Sequence, residues 1–363
     1  MTSVGLRSAL IIALSGLPAA AAFSQPVPQP VSPPPARAIA TPAIRPAAPV
    51  ALASRIQQLG AQFDGRVGIA VQSVEEGWKL GWRADELYPQ QSVSKFWVAL
   101  TAMDAVDKGR VSLDDKVWLG RGDLTLFHQP LAQKVLGNGG HQTTLGALLY
   151  DAITKSDNTA NDKLMRSVGG PSAVRAFIAS RGLGAVRFYD GERALQSKIA
   201  GLIWSQSYSI GDAFYKARNA LPYSVRKAAF DRYVQDPYDG ASASAIAAAL
   251  ARLKRGELLS PASTARLLSI MGNTKTGANR LKGGLKPGWS LSHKTGTGQV
   301  LGAVQAGYND IGILTAPDGR SYAVAVMIKR TSAPLGVRMT LMNNVVRAVI
   351  NHHETSRSVA YTL

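Results

Sequence analysis

A hydroxyl and an amine three residues apart, Ser92 and Lys95, open the most apolar run of this chain. The run continues Phe96-Trp97-Val98-Ala99-Leu100, then Ala102, Met103, Ala105 and Val106. It is apolar on nearly every face, which predicts a helix buried inside a domain. Ser92 then falls in the first turn, with Lys95 on the same face. An unpaired buried ammonium is costly, so this lysine needs a partner or has a reaction to serve. A desolvated amine beside a hydroxyl can make a serine nucleophilic. Backbone N–H groups at the helix N-terminus can face a developing oxyanion. The same letters also suit an N-cap serine followed by a snorkelling lysine, and S-x-x-K arises about once by chance in a chain this long.

Other residues must therefore decide. Ser156-Asp157-Asn158 follows the apolar segment Leu145–Ile153 and precedes Leu164 and Met165, which predicts a loop between two helices. Ordinary N-caps and turns use the same residue types. Lys-Thr-Gly occurs at 275–277 and again at 294–296. The second copy follows the alternation Trp289-Ser290-Leu291-Ser292-His293 and leads into a strand-like stretch, so it can be held rigidly beside a cleft. Lys294-Thr295-Gly296, with Thr297 next, is therefore the preferred copy. Gly296 and Gly298 are expected to let a substrate backbone lie close to that strand edge. Glu192, in Arg187-Phe188-Tyr189-Asp190-Gly191-Glu192, would polarise a water if it lay near Ser92 and Lys95; otherwise it is a solvated surface carboxylate.

The scaffold for these groups has to be globular. The chain has 363 residues, 46% hydrophobic and 18% charged, enough for one large domain or two lobes. It has no cysteine, and His128, His141, His293, His352 and His353 lack metal-ligand spacing, so neither metal nor cofactor is expected. The net charge of +18 is spread along the chain without a basic-aromatic block, which favours a general surface character or an anionic envelope polymer over nucleic acid.

Residues 1–22 carry Arg7, the apolar stretch ALIIALSGLPAAAA and small residues at Ala20 and Ala22, the pattern of a cleaved secretory signal. It is shorter than the ~20 apolar residues a membrane span needs. A periplasmic or secreted protein is expected. Residues 23–50 read as a Pro-rich linker, nine of the 27 residues from Ser24 to Val50 being proline. Residues 51–63 predict a helix. Strands follow at 66–74 and 78–82, and return at 290–293, 299–308, 311–315 and 321–329, with a turn at Pro317-Asp318-Gly319. Residues 92 to about 280 read as helix-rich, and 335–351 as a closing helix. The expected fold is α/β (α+β): an antiparallel five-stranded sheet from both termini, flanked by helices, with an inserted all-helical lobe. The boundaries are an α/β lobe of 51–86 and 285–354, a helical lobe of 87–284, and a tail of 355–363.

S-x-x-K, S-D-N and K-T-G in this order resemble the signature shared by class A β-lactamases and penicillin-binding proteins. Tyr88-Pro89, Asn273-Thr274, Gly284-Leu285, Trp289 and Asn309-Asp310 extend the resemblance to class A over roughly residues 52–352. It implies a serine hydrolase opening β-lactam rings through an acyl-enzyme, with a small-molecule β-lactam as partner and a monomeric state. It implies Ser92 as nucleophile and Lys95 or Glu192 as its base. Ser156 would relay a proton, Asn158 would bind the acyl amide, and Gln196 would help hold the water. Lys294, Thr295, Thr297 and an arginine, for which Arg338 is the candidate, would hold the substrate carboxylate. His128 or Phe127 would be the aromatic gatekeeper. Asp162 and Asp190 depart from the family pattern, and residues 197–235 read as an insertion expected to cover one edge of the cleft. The alternatives are a D-alanyl-D-alanine peptidase that traps its acyl-enzyme, and a binding domain that keeps only the fold.

Overall fold

The computed structural model describes residues 47–360, with side chains through residue 356; the expected signal and most of the linker lie outside the described residues. In chain order the elements are α1 (Val50–Gln62), β1 (Arg66–Ser73), β2 (Lys79–Trp82), β3 (Tyr88–Pro89), α2 (Lys95–Asp107), β4 (Lys116–Leu119), α3 (Ala132–Gly137), β5 (His141–Thr144), α4 (Leu145–Thr154), α5 (Asn158–Ser167) and α6 (Gly170–Ser180). They continue as α7 (Glu192–Ile199), α8 (Ala213–Ala220), α9 (Tyr223–Gln235), β6 (Gly240–Ala241), α10 (Ala243–Lys254), α11 (Pro261–Gly272), β7 (Ser290–Thr297), β8 (Val300–Leu301), β9 (Val304–Thr315), β10 (Ser321–Thr331) and α12 (Leu335–Ala360). Two expected boundaries shift. Val50, the last linker residue, opens α1, and the expected tail continues α12 as far as Ala360.

The main sheet runs β2-β1-β10-β9-β7, antiparallel throughout, with the two-residue β8 attached to β9. It is the five-stranded sheet from both ends of the chain that the sequence predicts. The two strands expected at 299–308 and 311–315 are largely one, because Asn309 and Asp310 stay in register with Met327 and Val326 instead of forming a turn. Two small ribbons, β3 with β6 and β4 with β5, have too few residues to show as alternating patterns.

Side-chain size decides which helices cover each face. Along β10, Ala323, Ala325 and Met327 point one way with Ala70, toward the core that holds α2 and α10. Val324, Val326 and Ile328 point the other way, onto Leu52 and Ile56 of α1 and Met342, Val345 and Val349 of α12. This period of two is what a sheet covered on both faces requires. Small residues let α10 sit close, so the sheet and the helical lobe share one continuous core. At its centre α2 is buried from Lys95 to Ala105.

Asn309 ties this core to the turn carrying Ser92. Its amide donates to the carbonyls of Pro89 (2.7 Å) and Gln90 (3.0 Å), and its oxygen accepts from the Ile328 N–H (3.0 Å). Each buried group left unpaired costs about 1–3 kcal/mol. Asn309→Ala is expected to lower the unfolding free energy by about 2–3 kcal/mol, read as a shift in urea midpoint at constant m.

Candidate active site

Ser92 sits in a short 3-10 turn, Gln91–Ser94, that runs straight into α2. The residue before it, Gln91, has φ +54, which a side-chain-bearing residue adopts only when its surroundings enforce it. Those surroundings are identifiable. The Gln91 N–H donates to Asp239 Oδ2 (2.7 Å), its amide donates to the Tyr233 hydroxyl (2.5 Å), and that hydroxyl donates to Asp239 Oδ1 (3.0 Å). Tyr233 comes from α9, so the expected insertion reaches the nucleophile's neighbour through buried hydrogen bonds.

The Lys95 ammonium is fully buried and has three acceptors: Ser92 Oγ (2.8 Å), Asn158 Oδ1 (2.8 Å) and Glu192 Oε1. They come from three separate segments. Asn158 is the first residue of α5, placed by Asp157, whose Oδ1 caps the helix at the Ala160 N–H (2.8 Å). Its own amide donates to the Leu126 carbonyl (2.9 Å). Glu192 begins α7, where a carboxylate suits the helix dipole, and it is 3% exposed, so it is not a surface group. Its second oxygen accepts from Gln196 (3.2 Å), which also donates to Gln91 Oε1 (2.9 Å).

Asp162 does not loosen this arrangement. Its Oδ1 accepts the Glu192 N–H at 3.1 Å, anchoring the carboxylate-bearing turn from α5. Burial, reinforced by the nearby Glu192 charge, pushes the Asp162 carboxyl above the ordinary range. The turn is close enough that a Cβ on Gly191, which has φ +92, would crowd Met165 and both Asp162 oxygens at about 3 Å. Asp190 lies at the surface, paired with Arg175 of α6 at 3.0 Å.

On the opposite wall, β7 carries Lys294, Thr295 and Thr297. The Lys294 ammonium donates to Ser156 Oγ (2.9 Å), and burial followed by repulsion from Lys95 lowers its pKa well below the usual lysine value. Ser156 has φ +60, a second enforced backbone conformation at the site. The first Lys-Thr-Gly copy has a supporting place, since Thr276 Oγ1 lies 2.6 Å from Thr295 Oγ1.

Ser92, Ser156, Asn158, Glu192, Gln196, Thr295 and Thr297 line one cleft of about 620 Å³, with Phe127 and His128 at its rim. Phe127 adopts φ +62, and His128 Nε2 lies 2.8 Å from the Lys155 carbonyl. Tyr215 and Arg218 of α8 complete the lining. Among the described residues no group of His, Asp or Glu could hold a metal ion, and no helix is long and apolar enough to cross a membrane.

Two expectations need correction. Gly296 does not leave room for substrate: a Cβ there would meet the chain's own Gln90 carbonyl and lie 3.2 Å from Val93, because β7 presses on the turn carrying Ser92. Gly298 lines the cleft, but a Cβ there would meet the Ala306 carbonyl and the Gln91 side chain, so the chain itself takes up that space as well. Arg338 is outside it, donating to the Ala333 carbonyl (2.6 Å) and to Gln305, and 7% exposed. The arginine beside the β7 threonines is Arg280, which bonds the Gly296 (3.0 Å) and Asn309 (2.7 Å) carbonyls and Thr297 Oγ1 (2.6 Å), with its guanidinium 3.8 Å from the Tyr308 ring centre. Arg280 stands three residues after Gly277, in a stretch without periodicity, and only its closeness to the first Lys-Thr-Gly hinted at it.

Lys95 buried between Ser92 and Glu192, beside a sheet built from both ends of the chain, marks the arrangement expected of the class A β-lactamase family, and comparison with known proteins agrees. Residues 51–353 match the model of the β-lactamase enzyme family, and the chain belongs to the class A β-lactamase family. It is 24% identical over 302 residues to β-lactamase VEB-1 of Pseudomonas aeruginosa, covering 83% of this chain and 90% of that relative. It is 28% identical over 263 residues to extended-spectrum β-lactamase PER-1 of the same organism, covering 72% and 74%. The solved structure of TLA-3 extended-spectrum β-lactamase superposes with a TM-score of 0.68 at 26% identity, covering 83% of this chain and 98% of that one.

Two measurements check the electrostatics. Burial raises the Asp239 carboxyl from 3.8 to about 7, against the opposing bonds from Gln91 and Tyr233. Between those values the folded chain keeps a proton that the unfolded chain has lost, so this group's contribution to stability falls as pH rises from about 4 to about 7. The stability of Asp239→Asn relative to the parent should therefore shift in the variant's favour across that window, by denaturant titration at each pH. Separately, Arg280→Ala is expected to raise KM for carboxylate-bearing substrates about tenfold or more, while Arg338→Ala lowers Tm with KM little changed.

Proposed function

We propose that the protein is an exported serine β-lactamase that opens the lactam amide through an acyl-enzyme on Ser92. The observation that carries this reading is the Lys95 ammonium held at once by Ser92 Oγ and Glu192. Transfer of one Lys95 proton to Glu192 leaves a neutral amine touching the serine hydroxyl, which takes its proton as Oγ attacks the lactam carbonyl. The N–H groups of Ser92 and Thr297 receive the developing oxyanion. Lys294 and Ser156 pass a proton to the departing lactam nitrogen, along the 2.9 Å contact between them. Arg280, Thr295 and Thr297 receive the substrate carboxylate, and Asn158 the acyl amide through its remaining N–H.

Hydrolysis of the acyl-enzyme needs a base poised over the ester. Glu192 lines the cleft, and Gln196 holds its second oxygen, so the pair can polarise an attacking water. This feature favours a turning-over lactamase over a peptidase that traps its acyl-enzyme. The signal-like residues 1–22 support export to the periplasm or medium.

Nitrocefin should be hydrolysed at a steady rate; a burst without turnover would instead support the peptidase. Ser92→Ala should give no covalent adduct with benzylpenicillin by intact mass. Glu192→Ala should slow acylation and slow hydrolysis still more, so that an adduct accumulates while turnover falls by about 10²-fold or more; unchanged turnover would remove Glu192 from both steps.

A further inference from the structure

The segment 197–235 sends two side chains into the cleft, and one of them is a cation without a counter-charge. Both Tyr215 and Arg218 come from α8. That helix is fixed by Phe214, 2% exposed, which packs with Leu126 and Ala200 and meets the Phe127 ring edge-on at 4.9 Å. Phe127 in turn lies 6.1 Å from the Tyr215 ring. The Leu126 carbonyl just before Phe127 accepts from Asn158, so α8 stands on the Asn158 side of the cleft.

The Arg218 guanidinium lies 5.2 Å from the Tyr215 ring centre, and its Nε is buried with no hydrogen-bond partner. The segment's acids are engaged elsewhere, Asp212 with Lys216 (3.1 Å) and Asp231 with Lys227. Two other cations of the site are committed to protein acceptors, Lys95 to Ser92, Asn158 and Glu192 and Lys294 to Ser156, while Arg280 stands against Thr297 on the β7 wall. A guanidinium held against an aromatic ring with unused donors is preorganised to take a carboxylate or sulfonate in a fork. The lactam's own carboxylate belongs at Arg280 and the β7 threonines. An anion at Arg218 must therefore come from the acyl side chain, which lies toward Asn158.

Resting on the β-lactamase reading, we propose that Arg218, backed by Tyr215, is an anion subsite for the acyl side chain. It selects β-lactams whose side chain bears a second carboxylate or sulfonate. Carbenicillin and benzylpenicillin differ only by such a carboxylate, so the ratio of their kcat/KM values isolates the effect. Arg218→Gln should lower the carbenicillin-to-benzylpenicillin ratio about tenfold, about 1.4 kcal/mol. Arg218→Glu should lower it further, and Arg218→Lys should keep part of it. Added salt should shrink the ratio in the unsubstituted protein, a readout that requires no variant to fold. A ratio unchanged both by Arg218→Gln and by salt, with both penicillins still turned over, overturns the subsite. A protein that benzylpenicillin neither acylates nor supplies with a substrate overturns the reading of the active site itself.

Discussion

One buried charge sets the terms for the rest of the molecule. The Lys95 ammonium has no contact with solvent, and an uncompensated charge at such a depth costs about 3–5 kcal/mol. Its three acceptors belong to the turn before α2, the start of α5 and the start of α7, so satisfying the charge holds three segments at one point. The Glu192 turn has the longest way to come, and it is fastened again by the Asp162 carboxylate at its N–H. Assembly of the catalytic groups and neutralisation of the core lysine are the same structural event.

The second constraint is conformational. Among the described residues four non-glycine residues have positive φ, and three of them, Gln91, Phe127 and Ser156, sit at the cleft. Each needs outside support because an L-residue pays for that geometry in free energy. Gln91 has Asp239 and Tyr233, Phe127 is packed by Phe214 and Tyr215, and Ser156 has the Lys294 ammonium. Two of these three supports come from residues 197–235. That segment is thus a structural part of the site as well as a wall beside it.

The sequence showed the fold wherever burial is periodic. The alternation along β10 and the all-round apolarity of α2 carry their environments in their spelling, and the motif residues Ser92, Ser156 and Glu192 line one cleft with Lys95 and Lys294 hydrogen-bonded to them. What it could not show depends on contacts across the chain. Arg280 and Arg338 are equivalent as letters, yet one lies under Thr297 in the cleft and the other is tied to Ala333 and Gln305. Gly296 reads as an opening for a ligand until the backbone of Gln90 is seen to fill it. The support of Gln91 by Tyr233 spans 142 positions, and no local pattern encodes it.

The two lysines of the site explain why its chemistry needs this depth. Lys95 is in contact with the Glu192 carboxylate, whereas Lys294 has no touching carboxylate, and burial followed by repulsion from Lys95 makes it hold its proton weakly. One site thereby contains a lysine paired with a carboxylate and another that burial and a neighbouring charge destabilise as an ammonium. A loosely held proton beside Ser156 is what a departing amine needs, and a carboxylate that can accept the Lys95 proton is what an attacking serine needs. In water both lysines would be alike. Burial separates them into a donor and an acceptor on opposite sides of the same substrate, and the cost of that burial is met by the sheet and helices closing over α2.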